Sequence, residues 1–174
     1  MTRSVFHTHP RSTKRVVCLL VACLVFGASG CGYHFKGMGL KAPEGVQTIA
    51  VMVLENNTAE PGIETVFTGD LSYEFTRSKV LQVVNRAAAD AVLSGSIVSL
   101  AEDTVTHTES YTSDERRVVV TLKLVLRRKD GKVVWANNSL SDEEVFSVSD
   151  DRATTDKNKR EAIETLSTRL AEKV

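Results

Sequence analysis

The strongest constraint on the fold lies past the middle of the 174-residue sequence, where Arg116 to Arg128 alternates between two faces and ends at Lys129-Asp130-Gly131-Lys132. Side chains on a strand point to alternate sides, so alternation over that length predicts a half-buried strand. Asp-Gly between alternating runs is a strong hairpin signal. A two-residue turn at Asp130 and Gly131 sets a register in which Lys129 faces Lys132, Leu126 faces Trp135 and Lys123 faces Asn138. One face then carries Val118, Val120, Leu122, Leu124, Leu126, Val133 and Trp135. Such a patch does not stay in water, so a second layer must cover it. Trp135 is expected inside that layer, where truncation to alanine costs about 3 to 5 kcal/mol. The opposite face carries Arg117, Val119, Thr121, Lys123, Val125, Arg127 and Val134, half apolar and half basic, and can stay open.

Two amphipathic segments supply the cover. Between about Pro61 and Ser78, Ile63, Val66, Phe67, Leu71 and Phe75 fall on one helical face, with Pro61 suited to the first turn. From about Thr155 to Lys173, Ile163, Leu166 and Leu170 form a seam with Ala162 beside it. The first turns of that second helix are wholly polar and are expected to project beyond the core. Gln47 to Leu54 reads as a buried, β-branched strand stopped by Asn56-Asn57-Thr58. Val80 to Val84 is a short strand, and Ala91 to Leu100 a longer one whose alternation slips at Ser99, as a bulge would make it. His107 to Glu115 reads as a projecting loop with Tyr111 its only large apolar group. The expected fold is therefore α+β: a single domain with a mixed four- or five-stranded sheet and two helices packed on one face.

The N-terminus decides where such a domain lives. Arg3, Arg11, Lys14 and Arg15 precede an apolar run from Val16 to Phe26, the layout of an export signal. Its 11 residues are too few to span a bilayer. Ala28-Ser29-Gly30-Cys31 follows, small residues before a cysteine, which is what a bacterial lipobox presents, although Ala28 stands where leucine is usual. Cleavage before Cys31 would leave that residue carrying a diacylglyceride and an N-acyl chain; an ordinary secreted chain is the alternative. The organisation expected is a signal peptide over 1–30, a lipidated tether over 31–46 and a domain over 47–174, with Tyr33 and Phe35 at the membrane interface or docked on the domain or a partner. Removing residues 1–30 from the 174 leaves 144, and takes four of 22 basic residues and no acidic one, so 18 basic face 22 acidic, a net charge of −4. That balance argues against nucleic acid as a partner, which wants a dominant basic field, and leaves room for local basic patches. Cys18 and Cys23 leave with the signal, so no disulfide or thiolate metal site is expected.

Nothing assembles a catalytic site, metal site or organic cofactor site. His34 lies in the tether and His107 in the loop, and Gly37-x-Gly39 precedes Lys41-Ala42-Pro43 instead of a helix. Asp142-Glu143-Glu144 lacks the spacing of a calcium loop and reads as a solvated face. Arg117, Lys123 and Arg127, on a half-apolar face, suit a phosphorylated amphiphile, or serve as ordinary solubilising charges.

Cys31-Gly-Tyr-His-Phe, Pro43-Glu-Gly-Val with Thr48-Ile-Ala-Val, Glu55-Asn-Asn-Thr before Glu60-Pro-Gly, Ala89-Asp-Ala-Val-Leu-Ser-Gly-Ser-Ile and Gly131-Lys-Val-Val-Trp together resemble the lipopolysaccharide-assembly lipoprotein family LptE. The resemblance runs from Arg15 onward. It implies a non-enzymatic lipoprotein, triacylated at Cys31 and held at the periplasmic side of the Gram-negative outer membrane. Such a protein plugs a large β-barrel that translocates lipopolysaccharide to the cell surface, assists the assembly of that barrel and binds lipopolysaccharide. The family places its lipopolysaccharide contacts on basic residues near the long loop and the start of the last helix. Here Lys157, Lys159 and Arg160 suit the helix, while the loop has no Arg or Lys before Arg116. Arg117, Lys123, Arg127 and Lys157 are the lipopolysaccharide-binding candidates. The competing reading is a generic envelope lipoprotein acting as a structural tether or accessory of another assembly complex.

Overall fold

The computed structural model describes residues 42–105 and 114–174. The signal peptide, Cys31, the tether aromatics, His34 and the loop around His107 and Tyr111 lie outside the described residues.

Strands β1 (Thr48–Val51), β2 (Glu55–Asn56), β3 (Gln82–Val83), β4 (Ala91–Val105), β5 (Glu115–Arg128) and β6 (Val133–Ser147) form one sheet. Their order is β3-β1-β4-β5-β6, with β2 paired to β4. β1 runs parallel to β3 and β4, β2 runs parallel to β4, and β4-β5-β6 is an antiparallel meander, so the sheet is mixed. Helices α1 (Ile63–Ser78) and α2 (Arg152–Glu172) pack on each other and on one face of it. The α+β single domain expected from the pattern is what forms.

The core lies in that layer. Val118, Val120, Leu122, Leu124 and Leu126 of β5 are at most 5% exposed and meet Phe67 and Leu71 of α1 and Ile163, Leu166 and Leu170 of α2 in one cluster. Both helical seams bury as their spacing requires, Val66 only partly. The slip in β4 is a bulge between Ile97 and Ser99. It moves the inward positions from odd to even numbers, so that Leu100 and Glu102 continue the inner face opposite Val120 and Val118. α1 begins later than expected: Gly62, at φ 88°, turns the chain into Ile63, which leaves Pro61 outside the helix.

The β5–β6 turn departs from the two-residue form. Gly131 N donates to Arg128 O at 2.9 Å, and Arg128 N donates to Lys132 O at 2.9 Å. Lys129, Asp130 and Gly131 therefore make a three-residue turn with Gly131 at φ 85°. A second irregularity between Leu126 and Arg127 offsets the extra residue, so Leu126 still faces Trp135, while Arg127 faces Val133. Val133 consequently lies on the opposite face, 43% exposed, and not in the core as the simpler turn predicts. Trp135 is half-buried, lining an apolar cavity of about 80 Å³ with Phe75, Leu93, Leu126 and Val174.

β6 also runs further than the polarity of its sequence suggests. Asp142 and Glu144 lie opposite Val120 and Val118, on the inner face of the edge strand. Asp142 Oδ2 accepts from Arg169 Nε at 3.0 Å and lies 2.9 Å from Lys173 Nζ, and Glu144 Oε2 is 2.6 Å from Arg169 Nη1. These carboxylates are ion-paired to α2 and do not form a solvated face. The polar first turns of α2 are likewise docked. Lys159 Nζ sits 2.6 Å from both Glu60 Oε2 and Glu102 Oε1, Asn158 Nδ2 donates to Ser147 O, and Thr155 Oγ1 donates to Ser149 O. Burial disfavours the charge on Lys159, but the hydrogen bonds and charges of Glu102 and Glu60 outweigh it and raise its pKa.

Candidate functional site

The sheet face opposite the helices bears the basic candidates, and among the described residues no helix packs on it. Arg117, Lys123 and Arg127 share that face of β5, since all three alternate with the buried valines and leucines. They do not converge. At about 3.4 Å per residue, Arg117 and Arg127 stand ~34 Å apart along the strand. Each also has its own setting. Arg117 Nε lies 3.5 Å from Glu143 Oε1, the one acidic residue of the 142–144 run that faces this side. Lys123 is exposed, opposite Ser96 of β4. Lys157 belongs to the other layer altogether: it lies on α2, with Nζ 3.5 Å from Glu161 Oε1 in an exposed i,i+4 pair. The four candidates therefore do not form a single pocket.

Arg127 has closer company. It opens onto a groove of about 560 Å³ lined by Met52, Arg86, Val92, Ser94, Arg128, Lys129 and Gly131. With Arg127 itself, four of the lining residues are cationic and none is acidic. Arg86 comes from the β3–β4 connection, while Arg127, Arg128 and Lys129 come from the end of β5 and its turn. The nearby carboxylate of Asp90 is engaged elsewhere: its Oδ2 accepts from Thr48 Oγ1 at 2.8 Å, Thr48 N at 2.9 Å and Gln47 N at 3.1 Å. Those bonds, the threonine hydroxyl foremost, hold its pKa below the usual value, with the positive charge of Lys129 a smaller cause. Sequence reading singled out Arg127 and missed its three neighbours, though the unbroken run Arg127-Arg128-Lys129 before Asp-Gly was a visible signal; Arg86, remote in sequence, had none. Among the described residues, no group of three or more His, Cys, Asp or Glu is placed to hold a metal ion.

The family model described as "Lipopolysaccharide-assembly" matches residues 46–174, which takes in all six strands and both helices. The chain belongs to the LptE family. LptE proteins are non-enzymatic lipoproteins of lipopolysaccharide assembly, and membership makes this chain a lipoprotein of the cell envelope with no reaction to catalyse. No curated sequence matches the chain. Solved structures similar to it include a minor lipoprotein from Acinetobacter baumannii, at 15% identity and a TM-score of 0.49 over 73% of this chain and 87% of that one. Lipoprotein B from Nitrosomonas europaea is similar at 13% identity and a TM-score of 0.47 over 73% and 78%. PelC from Paraburkholderia phytofirmans, a dodecamer, is similar at 17% identity and a TM-score of 0.43 over 74% and 86%.

Proposed function

We propose that this LptE-family protein is an outer-membrane lipoprotein, exported by residues 1–30 and acylated at Cys31, that sits as a plug within the large β-barrel of the lipopolysaccharide translocon. There it assists assembly of the barrel and binds lipopolysaccharide on its way to the cell surface. The observation that carries this reading is the match of the lipopolysaccharide-assembly family over residues 46–174. The sequence before the domain agrees with it, since an export signal, a lipobox-like Ala28-Ser29-Gly30-Cys31 and a glycine-containing tether are what a domain working at a membrane surface requires.

The test is recovery of the tagged full-length lipoprotein from outer membranes in mild detergent, with co-purifying proteins identified by mass. One large β-barrel in near-equal amount supports the plug. Recovery alone, or with cell-wall proteins, refutes it in favour of a structural tether. If the barrel is recovered, charge removal at Arg117, Lys123, Arg127 and Lys157, one at a time, reads out which of these scattered cations touches lipopolysaccharide.

A further inference from the structure

The cationic groove lies at the end of the domain where the N-terminal chain joins it. Three contacts fix that placement. A Cβ on Gly45 would stand 3.5 Å from Arg128 Nη2. Lys129 N donates to Asp90 O at 3.2 Å, and the Asp90 carboxylate accepts from the backbone of Gln47 and Thr48. Residues 45–48, the β5–β6 turn and the β3–β4 connection therefore meet at one end of the sheet. Pro43 lies twelve residue steps along the chain from Cys31. At no more than about 3.6 Å per residue, a link of that length cannot exceed ~43 Å, so acyl chains on Cys31 would hold this end of the domain within reach of a bilayer surface.

The groove has the chemistry such a surface calls for. Arg86, Arg127 and Lys129 are exposed, Arg128 is half-buried, and among the described residues none of the four forms an ion pair. Arg128 Nε is buried without a hydrogen-bond partner. Guanidinium forks match phosphate oxygens in pairs, and a lysine adds a point charge. Met52 and Val92 line the same groove, giving apolar wall beside the cations for the glycerol or acyl part of a lipid. Ser94 offers a hydroxyl.

We propose that this groove binds the phosphate of an anionic lipid headgroup, supplied by the bilayer in which the protein is anchored. The bilayer as source rests on acylation of Cys31; the affinity for an anionic phosphate lipid does not. Bound in this way, the domain is oriented as well as tethered, with the β5–β6 turn toward the membrane and the far end of the meander away from it.

The experiment is a calorimetric titration of the full-length chain in neutral detergent with short-chain phosphatidylglycerol, short-chain phosphatidylcholine and lipopolysaccharide. Saturable binding of phosphatidylglycerol and none of phosphatidylcholine is expected. Replacing Arg86, Arg127 and Lys129 together by glutamate should weaken it at least about tenfold, since each basic side chain near an anionic surface contributes appreciably. Arg152→Glu, exposed at the start of α2 on the other layer, should leave it unchanged. Should the triple variant lose its native melting curve, Arg127→Gln with Lys129→Gln carries the same test with a smaller loss. Binding of lipopolysaccharide alone, lost in the same variants, keeps the groove as a phosphate-lipid site and moves the source from bilayer to lipopolysaccharide. Binding of neither, or binding indifferent to the variants, overturns the proposal. Mass analysis of Cys31 in the same preparation tests the anchor separately: an unacylated cysteine refutes the tethering reading while the titration still reports on the groove.

Discussion

Gly95 is a position where one missing atom group holds two strands together. It faces Leu124 across β4 and β5, and a Cβ there would lie 2.1 Å from the carbonyl oxygen of Lys123 and 2.8 Å from Leu124 Cδ2. Because the closest atom is backbone in the central hairpin, no rotamer change relieves the clash. Gly95→Ala should therefore destabilise by about 3 kcal/mol, at the upper end of overpacking costs, and urea denaturation would show the shift in midpoint. Trp135 errs the other way. Its half-exposure beside a cavity lowers the expected cost of Trp135→Ala to about 2 kcal/mol, and a loss as large as 4 in the same assay would mean that the indole is fully packed. Asp142 carries a pH dependence. Burial pushes its carboxyl up, but hydrogen bonds from Lys173 and Glu143 N and the charges of Lys173 and Arg169 outweigh it, so its folded pKa lies below the ordinary 3.8. A depressed carboxylate pKa stabilises the fold at pH above its unfolded value, and that contribution is lost as pH falls through the lower folded value. Asp142→Asn should lower stability near neutrality and flatten the acid limb of the stability profile below pH 3.8; an acid limb as steep as the parent's would count against it.

At the scale of elements, the hairpin displays both what the pattern specifies and what it leaves open. Asp130-Gly131 announces the turn, and the alternation of β5 announces which face is buried. Neither distinguishes a two-residue turn from a three-residue turn compensated by a bulge, because both put Leu126 opposite Trp135. The difference appears at Val133, which the bulge moves to the outer face, and at Val134, expected on the open face, which packs against the core instead. Gly131→Ala tests the observed form: a side chain at φ 85° is strained, so it should cost about 1 kcal/mol with no clash to relieve. Thermal melting with an unchanged midpoint would argue that the turn relaxes to another type. Of the two-residue strands, β3 falls within the strand read at Val80 to Val84, whereas β2, at Glu55–Asn56, carries no periodicity to read. Asp142, Glu144, Lys159 and Arg169 were illegible for a related reason. Polarity in sequence says that a side chain wants water or a partner, and only the packing of α2 against the sheet supplies the partner. The candidate site divides along the same line: Arg127-Arg128-Lys129 was readable as a charge run, while Arg86 joins it through the tertiary fold. Arg117 and Lys157 looked like companions of Arg127 because sequence reports charge without distance.

For the whole molecule, the proposed anchor makes folding and placement separately testable. Among the described residues, the buried core cluster runs from Val46 to Ala171. The buried faces of β4, β5 and β6 are packed against α1 and α2, elements of the domain itself. Membrane attachment has the opposite dependence. In the function proposed here it draws on acyl chains at Cys31, at about 0.8 kcal/mol for each buried methylene, and in the binding proposed for the basic groove on a weaker, salt-sensitive second contact. Cys31→Ser should consequently leave the melting curve of the domain where it was while removing the acyl groups on which firm attachment depends. Mass spectrometry and detergent-phase partitioning check the two halves of that statement. A serine variant that still carries acyl chains would sink the assignment of Cys31, and one that loses its cooperative melting would show that the tether belongs to the fold. Retention of weak, salt-dissociable membrane association by the same variant is the outcome that the basic groove predicts, because headgroup phosphates would still find Arg86, Arg127 and Lys129 after the lipid anchor is gone.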